Sequence, residues 1–326
     1  MRRTEIAVVG AGPAGVTAAL AAARCGARVT LVDEYPRPGG QIYKQLPAEF
    51  RLKRPAALGK EHARAQRLLG LLSESSVEML TATLVWGVEG ERTLLLYREG
   101  EGTEALRAEA VVVATGAYDR PIAFPGWTLP GVWTAGGAQT MVKSQRVVPG
   151  QRVLVVGSGP LLLPVATGLA EAGARVVALV EAATIPEWAR HAHRMWGHWD
   201  RLADALGYEA ALRRARVPRY YGHVVVRAEG RQAVERATIA AVDRQWRPRP
   251  GTERSFEVDL LCIGYGFLVS TELPRLLGCK LRYDPRQEQY LPLHDAEMET
   301  SVPGVFVAGE TTGVGGAELA LAEGEL

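Results

Sequence analysis

The sequence predicts an α/β fold built from two β-α-β units of the Rossmann type, each followed by a β-meander. Two observations carry that reading. Residues 6–34 (IAVVGAGPAGVTAALAAARCGARVTLVDE) and 153–181 (VLVVGSGPLLLPVATGLAEAGARVVALVE) repeat one pattern, without a gap, 147 residues apart. Each copy is an apolar run, a glycine turn, a small-residue helix and a second apolar run closed by acid, the order that a dinucleotide-binding unit needs. After each copy, short alternating strands broken by glycines follow, over 77–114 and 223–263. These end in the parallel strings EAVVVATG (109–116) and DLLCIGYG (259–266).

In the first unit, Ile6 to Val9 form the entering strand. GAGPAG, residues 10–15, fits G-x-G-x-x-G. Gly10 permits the tight turn, Gly12 lets backbone approach a pyrophosphate, and Gly15 lets the helix pack close to the strand. The free N–H groups at the helix start then face the phosphates. Ala18, Ala19, Ala21 and Ala22 keep the helix slim, and Val29 to Val32 form the second strand. Asp33 and Glu34 stand at its end, and one of them is expected to accept hydrogen bonds from a ribose. Counting from Gly26 favours Asp33; the internal repeat, which pairs Glu34 with Glu181, favours Glu34. A helix is expected over 60–73.

The second unit is damaged. GSGPLL, residues 157–162, keeps Gly157 and Gly159 but places Leu162 where the first copy has Gly15. A Leu side chain there pushes the helix off the strand or demands a compensating gap. Glu181 remains available for a ribose 2′-OH, and no Arg immediately follows it to meet a 2′-phosphate. NAD, or another adenine nucleotide, is therefore the second-site candidate, with a pure scaffold as the alternative.

The organisation that follows is a discontinuous first domain, about 1–120 plus 250–326, with a second domain at 121–249 inserted between. Residues 184–221 read as a helical insertion rich in Trp and His. His191, His193 and His198 do not share one helical face, so no metal is expected there.

The bulk numbers bound the function. In 326 residues, 47% apolar and 23% charged, with a net charge of +2, there is no basic field to recruit nucleic acid. No uncharged apolar run approaches the roughly 20 residues of a membrane helix. Cys25, Cys262 and Cys279 form no CxxC pair and no disulfide framework, which points to a reducing, cytoplasmic setting. No Ser-His-Asp arrangement or acid–base pair stands out, and no catalytic residue is assigned; in a cofactor enzyme the cofactor carries the hard chemistry.

Further strings extend the reading. PRPGGQIYKQ (36–45) puts Gly39 and Gly40 just after the ribose acid, where backbone can pass close to a bulky ligand. With VVVATGAYDRP (111–121) and TSVPGVFVAGETTGVGG (300–316), it resembles the two-dinucleotide-binding flavoproteins of the thioredoxin-reductase-like class. That resemblance implies FAD. It places Gly10, Gly12, Pro13, Ala14, Gly15, Asp33 or Glu34, Gly39, Gly40, Gln41, Val85, Thr115, Gly116, Gly309, Glu310 and Ala317 around the cofactor. The class usually has Asp where Glu310 stands, one methylene shorter, on the ribityl chain. It also carries a CxxC after a Gly-Val; here, aligned on Gly131-Val132, those positions hold Ala135 and Ala138.

A more specific set adds PGWTLPGVWTAGGAQTMVKS (125–144), GSGPLLLPVATGLAEAGA, CIGYGFLVSTEL (262–273) and LLGCKLRYDP (276–285). Over the whole chain it resembles the FAD-containing alpha subunits of opine oxidases, proline and hydroxyproline dehydrogenases and hydrogen cyanide synthase. The resemblance implies an electron-transfer subunit partnered by a second flavoprotein, the beta subunit, in a hetero-oligomer. Family members usually continue into a cysteine-rich iron–sulfur domain; this chain stops at Leu326, and no cluster is expected of it. The competing readings are a stand-alone NAD(P)H-dependent flavin oxidoreductase and a non-catalytic flavoprotein scaffold.

Overall fold

A computed structural model describes residues 1–47, 49–50, 59–191 and 199–326. The chain opens with β1 (Arg2–Val9), α1 (Pro13–Arg24) and β2 (Val29–Val32), the predicted β-α-β unit. β1 and β2 pair in parallel from Ile6↔Val29 to Val9↔Val32. Then come α2 (Gly59–Ser73), where a helix is expected, and the strands β3 (Glu78–Leu80), β4 (Thr83–Glu89), β5 (Thr93–Arg98) and β6 (Gly102–Val113). β4, β5 and β6 form an antiparallel meander. The long β6 serves twice: its first half pairs with β5, and the strand also runs parallel to β1 from Arg2↔Leu106 to Val9↔Val113.

β7 (Ala117–Asp119) leads into the second half of the chain. There, β8 (Val132–Thr134), α3 (Ala135–Thr140), β9 (Arg152–Gly157), α4 (Leu162–Glu171), β10 (Arg175–Glu181), α5 (Ile185–His191), α6 (Trp199–Arg214) and β11 (Arg219–Tyr221) follow in turn. A second meander is made by β12 (His223–Glu229), β13 (Arg236–Ala241) and β14 (Arg254–Glu257), and β15 (Leu260–Gly264) closes the parallel sheet in the order β11-β10-β9-β15-β8. After β16 (Phe267–Val269) the chain adds α7 (Glu272–Leu276), the hairpin β17 (Leu281–Asp284) and β18 (Gln289–Pro292), β19 (Val305–Val307) beside β6, and α8 (Ala317–Glu325).

The chain divides into two compact units, Met1–Tyr118 with Leu268–Leu326, and Asp119–Phe267. Two expectations are corrected here. The return to the first unit lies at 268 and not near 250, because β15 pairs with β9 from Leu260↔Val153 to Gly264↔Gly157 and so belongs to the second unit's sheet. The helices expected as an insertion over 184–221 lie instead in the crossover, 182–218, that carries the chain from β10 to β11, which run parallel. A parallel pair needs such a connection of a dozen residues or more.

Each unit has its own core. In the first, Leu94, Leu96, Leu106, Val111 and Val305 are buried around β6. In the second, Val153, Val155, Leu169, Leu212 and Leu260 pack α4 and α6 onto the parallel sheet, while Leu154, Val156, Ile239 and Leu261 fill the other face under the meander. Strands covered on both faces read as continuous apolar runs, which is why VLVV and VVV were legible as strands.

Candidate functional site

The glycine turn is built by steric exclusion. Gly10 has φ +103°, and a Cβ on it would lie 2.3 Å from the Ala114 carbonyl oxygen. A Cβ on Gly15 would lie 1.8 Å from the Gly10 oxygen and 3.2 Å from Ala114 Cβ. These two glycines are therefore spent on packing α1 against β1 and the end of β6. Gly12 differs: its φ is −74°, ordinary for any residue, and a Cβ there would meet only Gly40 Cα, at 3.8 Å. Gly12 is the N-cap of α1, and Pro13 follows at the first helical position. The first N–H bonded within the helix is that of Val16, to Gly12 O (3.0 Å). The turn thus presents open backbone without a side chain, as phosphate binding requires.

Gly39 and Gly40 close over this turn. The Gly39 N–H donates to Ala11 O at 2.7 Å, and a Cβ on Gly40 would lie 2.8 Å from Gly12 Cα. A Cβ on Gly39 would strike the Tyr43 oxygen at 2.3 Å. The pair is what allows the 36–45 segment to sit on the glycine turn.

Of the two candidate acids, Asp33 is buried and Glu34 exposed. The Asp33 carboxylate accepts the N–H groups of Ala11 and of Tyr35, the latter at 2.8 Å. Burial pushes its pKa above the ordinary value, and those two N–H groups work in the opposite direction. In the second unit, Glu181 has the same partners in the same places: it accepts from Gly159 N (3.1 Å) and Ala183 N (2.9 Å). The roles therefore pair Glu181 with Asp33, one residue away from the gapless repeat, which pairs it with Glu34. Glu34 keeps its carboxylate free of the turn.

On the far side, Glu310 sits in a short turn, Gly309–Thr311, and accepts from the Gly316 N–H; burial raises its pKa. A Cβ on Gly309 would lie 2.6 Å from Ala14 Cβ, so this turn packs tightly on α1. The buried Thr311 hydroxyl accepts the Gly116 N–H at 2.9 Å, and the Thr115 hydroxyl donates to Ser270 O at 3.3 Å. Two segments nearly 200 residues apart are locked together at this end.

These pieces enclose a cavity of about 520 Å³, within the first unit. Of the expected residues, Gly10, Gly12, Pro13, Ala14, Asp33, Glu34, Gly40, Gln41, Val85, Thr115, Gly116, Glu310 and Ala317 line it. Gly15, Gly39 and Gly309 do not; each is used for close packing. The lining also includes residues that sequence reasoning missed: Tyr35, Ile42, Leu84, Trp86, Ser270, Glu272, Leu273 and Leu276 among them. Among the described residues that line the cavity, four carry carboxylates and none is a lysine, arginine or histidine. A diphosphate at the Gly12 turn would be met there by backbone N–H groups and the α1 dipole. Open glycine backbone at the middle, acids at both ends and apolar walls fit the long, two-ended shape of FAD.

The second unit is built differently at the same point. Four residues, 158–161, separate β9 from α4, whereas three, 10–12, separate β1 from α1. Leu162 begins α4, is 2% exposed and belongs to the second unit's core. The compensating gap is Gly264 at the end of β15: a Cβ there would lie 3.0 Å from Leu162 Cδ2. In the first unit the helix carries the small residue, Gly15, opposite Ala114; in the second, the strand does. Gly157, Gly159 and Glu181 lie together at this turn, with the acid held by backbone as Asp33 is in the first unit.

Cys25 is exposed, while Cys262 is fully buried and burial pushes its thiol well up. Cys279 is buried with its Sγ 3.3 Å from Thr300 Oγ1. Ala135 and Ala138, at the aligned redox positions, are fully buried in the second unit's core. His193 and His198 lie outside the described residues. Among the described residues no group of three His, Cys, Asp or Glu could hold a metal, and no helix is long and apolar enough to cross a membrane.

Such a paired dinucleotide architecture defines a class. Residues 4–324 match the family model of the pyridine nucleotide-disulphide oxidoreductases, and the chain belongs to that family. Within it, the chain is 30% identical to an opine oxidase subunit from Rhizobium meliloti, over 99% of this chain and 61% of that protein. It is 34% identical to the HcnB subunit of hydrogen cyanide synthase from Pseudomonas aeruginosa, over 98% of this chain and 68% of the relative. It therefore spans about three-fifths to two-thirds of these relatives' length. Thioredoxin reductase from T. acidophilum shares the fold, with a TM-score of 0.72 at 19% identity over 100% of this chain and 96% of that one.

Proposed function

We propose that this chain is the FAD-containing electron-transfer subunit of an amino-acid or imino-acid dehydrogenase complex, of the opine, proline or hydroxyproline type. In this reading the FAD lies in the first unit's cavity. Gly12, Gly40 and the start of α1 take its diphosphate, Asp33 or Glu34 its ribose, and Glu310 its ribityl chain. A partner flavoprotein subunit oxidises the substrate, and the complex works in the cytoplasm. FAD, when bound, supplies the reversible electron carrier; the chain supplies position, burial and an acid-lined wall.

The observation that carries this reading is the asymmetry between the two units. The first keeps an open glycine cradle. The second fills the equivalent place with Leu162 and offers alanines where disulphide reductases need thiolates. A flavin with no adjacent dithiol and an impaired nicotinamide turn suits electron relay between protein partners. The relatives named as subunits of opine oxidase and hydrogen cyanide synthase agree with that role.

Rapid mixing of the FAD-loaded chain with NADH tests it. The expected result is no bleaching of the flavin band beyond that with buffer. Full reduction within the mixing time at micromolar NADH would overturn the relay reading in favour of a stand-alone NADH-dependent flavin reductase.

A further inference from the structure

Trp86 is a large aromatic residue left 52% exposed, yet it lines the dinucleotide cavity. Leu276, on the short helix α7, is 56% exposed and lines the same cavity. Leu84 completes the set at 45% exposure. α7 and β4 are in contact, so these side chains belong to one mouth. Its position is fixed relative to the candidate ribose acids: the Thr83 N–H donates to Asp33 O and the Ala82 N–H to Tyr35 O, both at 2.9 Å. A nucleotide whose phosphates lie on the Gly12 turn and whose ribose lies at Asp33 or Glu34 has its base at β4 next.

The local backbone gives a second, independent observation. The β4–β5 ladder slips between Val85 and Gly87, so Trp86 is the extra residue of a β-bulge. Bulges beside binding sites re-aim the side chain they carry. The second unit has a bulge at the same place, between Val225 and Arg227 of β12, and there the extra residue is Val226. The bulge thus belongs to the architecture of both units, while the indole is particular to the first.

We propose that Trp86 and Leu276 are two jaws that hold the adenine ring of the cofactor between β4 and α7, by packing on its faces. The inference rests on the reading of this cavity as the FAD site. Both jaws are exposed without a nucleotide, so replacing either removes little from the core, and the melting temperature of the variants is expected to match the parent's. Aromatic stacking on a base accounts for an effect of about tenfold per ring in affinity.

The experiment is equilibrium binding of ADP and, separately, of FAD to the flavin-stripped chain and to its Trp86→Ala, Trp86→Phe and Leu276→Ala variants. Trp86→Ala is expected to weaken ADP and FAD by the same factor, about tenfold or more, and Trp86→Phe to restore most of it. Leu276→Ala is expected to weaken both by a smaller common factor. Unchanged ADP affinity in Trp86→Ala, with FAD still bound by the parent, would overturn the jaws and leave the FAD reading standing. ADP binding that depends on Trp86 in a chain that refuses FAD would support the jaws and overturn the flavin reading. Binding of neither would overturn both.

Discussion

At the scale of single residues, three glycines of one motif perform two different jobs. Gly12→Ala is expected to fold like the parent, since its φ of −74° is ordinary and the new methyl meets only Gly40 Cα at 3.8 Å. The methyl would nevertheless occupy the place where a diphosphate must approach backbone, so FAD affinity should fall about a hundredfold or more. Gly10→Ala should instead lower the melting temperature, because its Cβ would sit 2.3 Å from the Ala114 oxygen. Calorimetric melting and FAD titration on the two variants separate these effects; a Gly12→Ala chain that keeps full affinity would contradict the cradle. Glu310 gives a pH prediction. Burial raises its pKa above the ordinary 4.5, so the native state holds the proton more tightly than the unfolded chain. The corresponding stability is fully present below the unfolded value and is lost as pH rises through the folded one. Glu310→Gln is therefore expected to flatten the dependence of melting temperature on pH above about 4.5 and to melt no lower than the parent at neutral pH. A variant with the parent's slope would exclude Glu310 as a source of that dependence.

Among the elements, α4 and its strand show what a sequence can and cannot reveal. The repeat of a glycine turn, a slim helix and an acid made both β-α-β units legible, as did the continuous apolar runs of β1, β6, β9 and β15. The damage at Leu162 was legible too, because a leucine cannot occupy the space of Gly15. The compensation was not: Gly264 lies about a hundred residues away, and only the pairing of β15 with β9 brings it opposite Leu162. The one-residue shift between Asp33 and Glu34 was hidden for a similar reason: the register of β10 on β9 slips between Val176 and Ala178, so Glu181 falls where Asp33 does, and such a bulge has no signature in the repeat. Trp86, Glu272 and Leu276 escaped because a bulge and a five-residue helix place them, and neither has a periodic signature. The Leu162–Gly264 exchange leads to a test. Leu162→Ala should destabilise the chain by about 2–5 kcal/mol, the usual cost of emptying a leucine site in a core. Leu162→Gly, which restores the motif on paper, should not restore NADH binding, because it leaves a hole beside Gly264 in place of close packing. Denaturant unfolding and NADH titration read the two effects; tight NADH binding by the Gly variant would mean that Leu162 alone closes the second site.

For the molecule as a whole, the distribution of chemistry between the two units decides what the chain can do by itself. Oxidising an amine at a flavin requires a pocket that fixes the substrate, usually through its carboxylate, and aims a C–H bond at the ring. Among the described residues that line the cavity there is no arginine, lysine or histidine to receive a carboxylate, and the four acids there would repel one. In the proposed reading these walls hold the cofactor, and substrate recognition belongs to the partner subunit. The isolated, FAD-loaded chain is therefore expected not to turn over proline, hydroxyproline, glycine, sarcosine or opines with an artificial dye as acceptor. It should nonetheless pass electrons to the same dye once its flavin has been reduced chemically, which shows that the carrier is intact and the substrate site is what is lacking. The two assays must be run on one preparation with its FAD content measured. Turnover of any of these amines at about 1 s⁻¹ or faster, the ordinary range for enzymes, would place a substrate pocket within this chain and remove the reason for a catalytic partner.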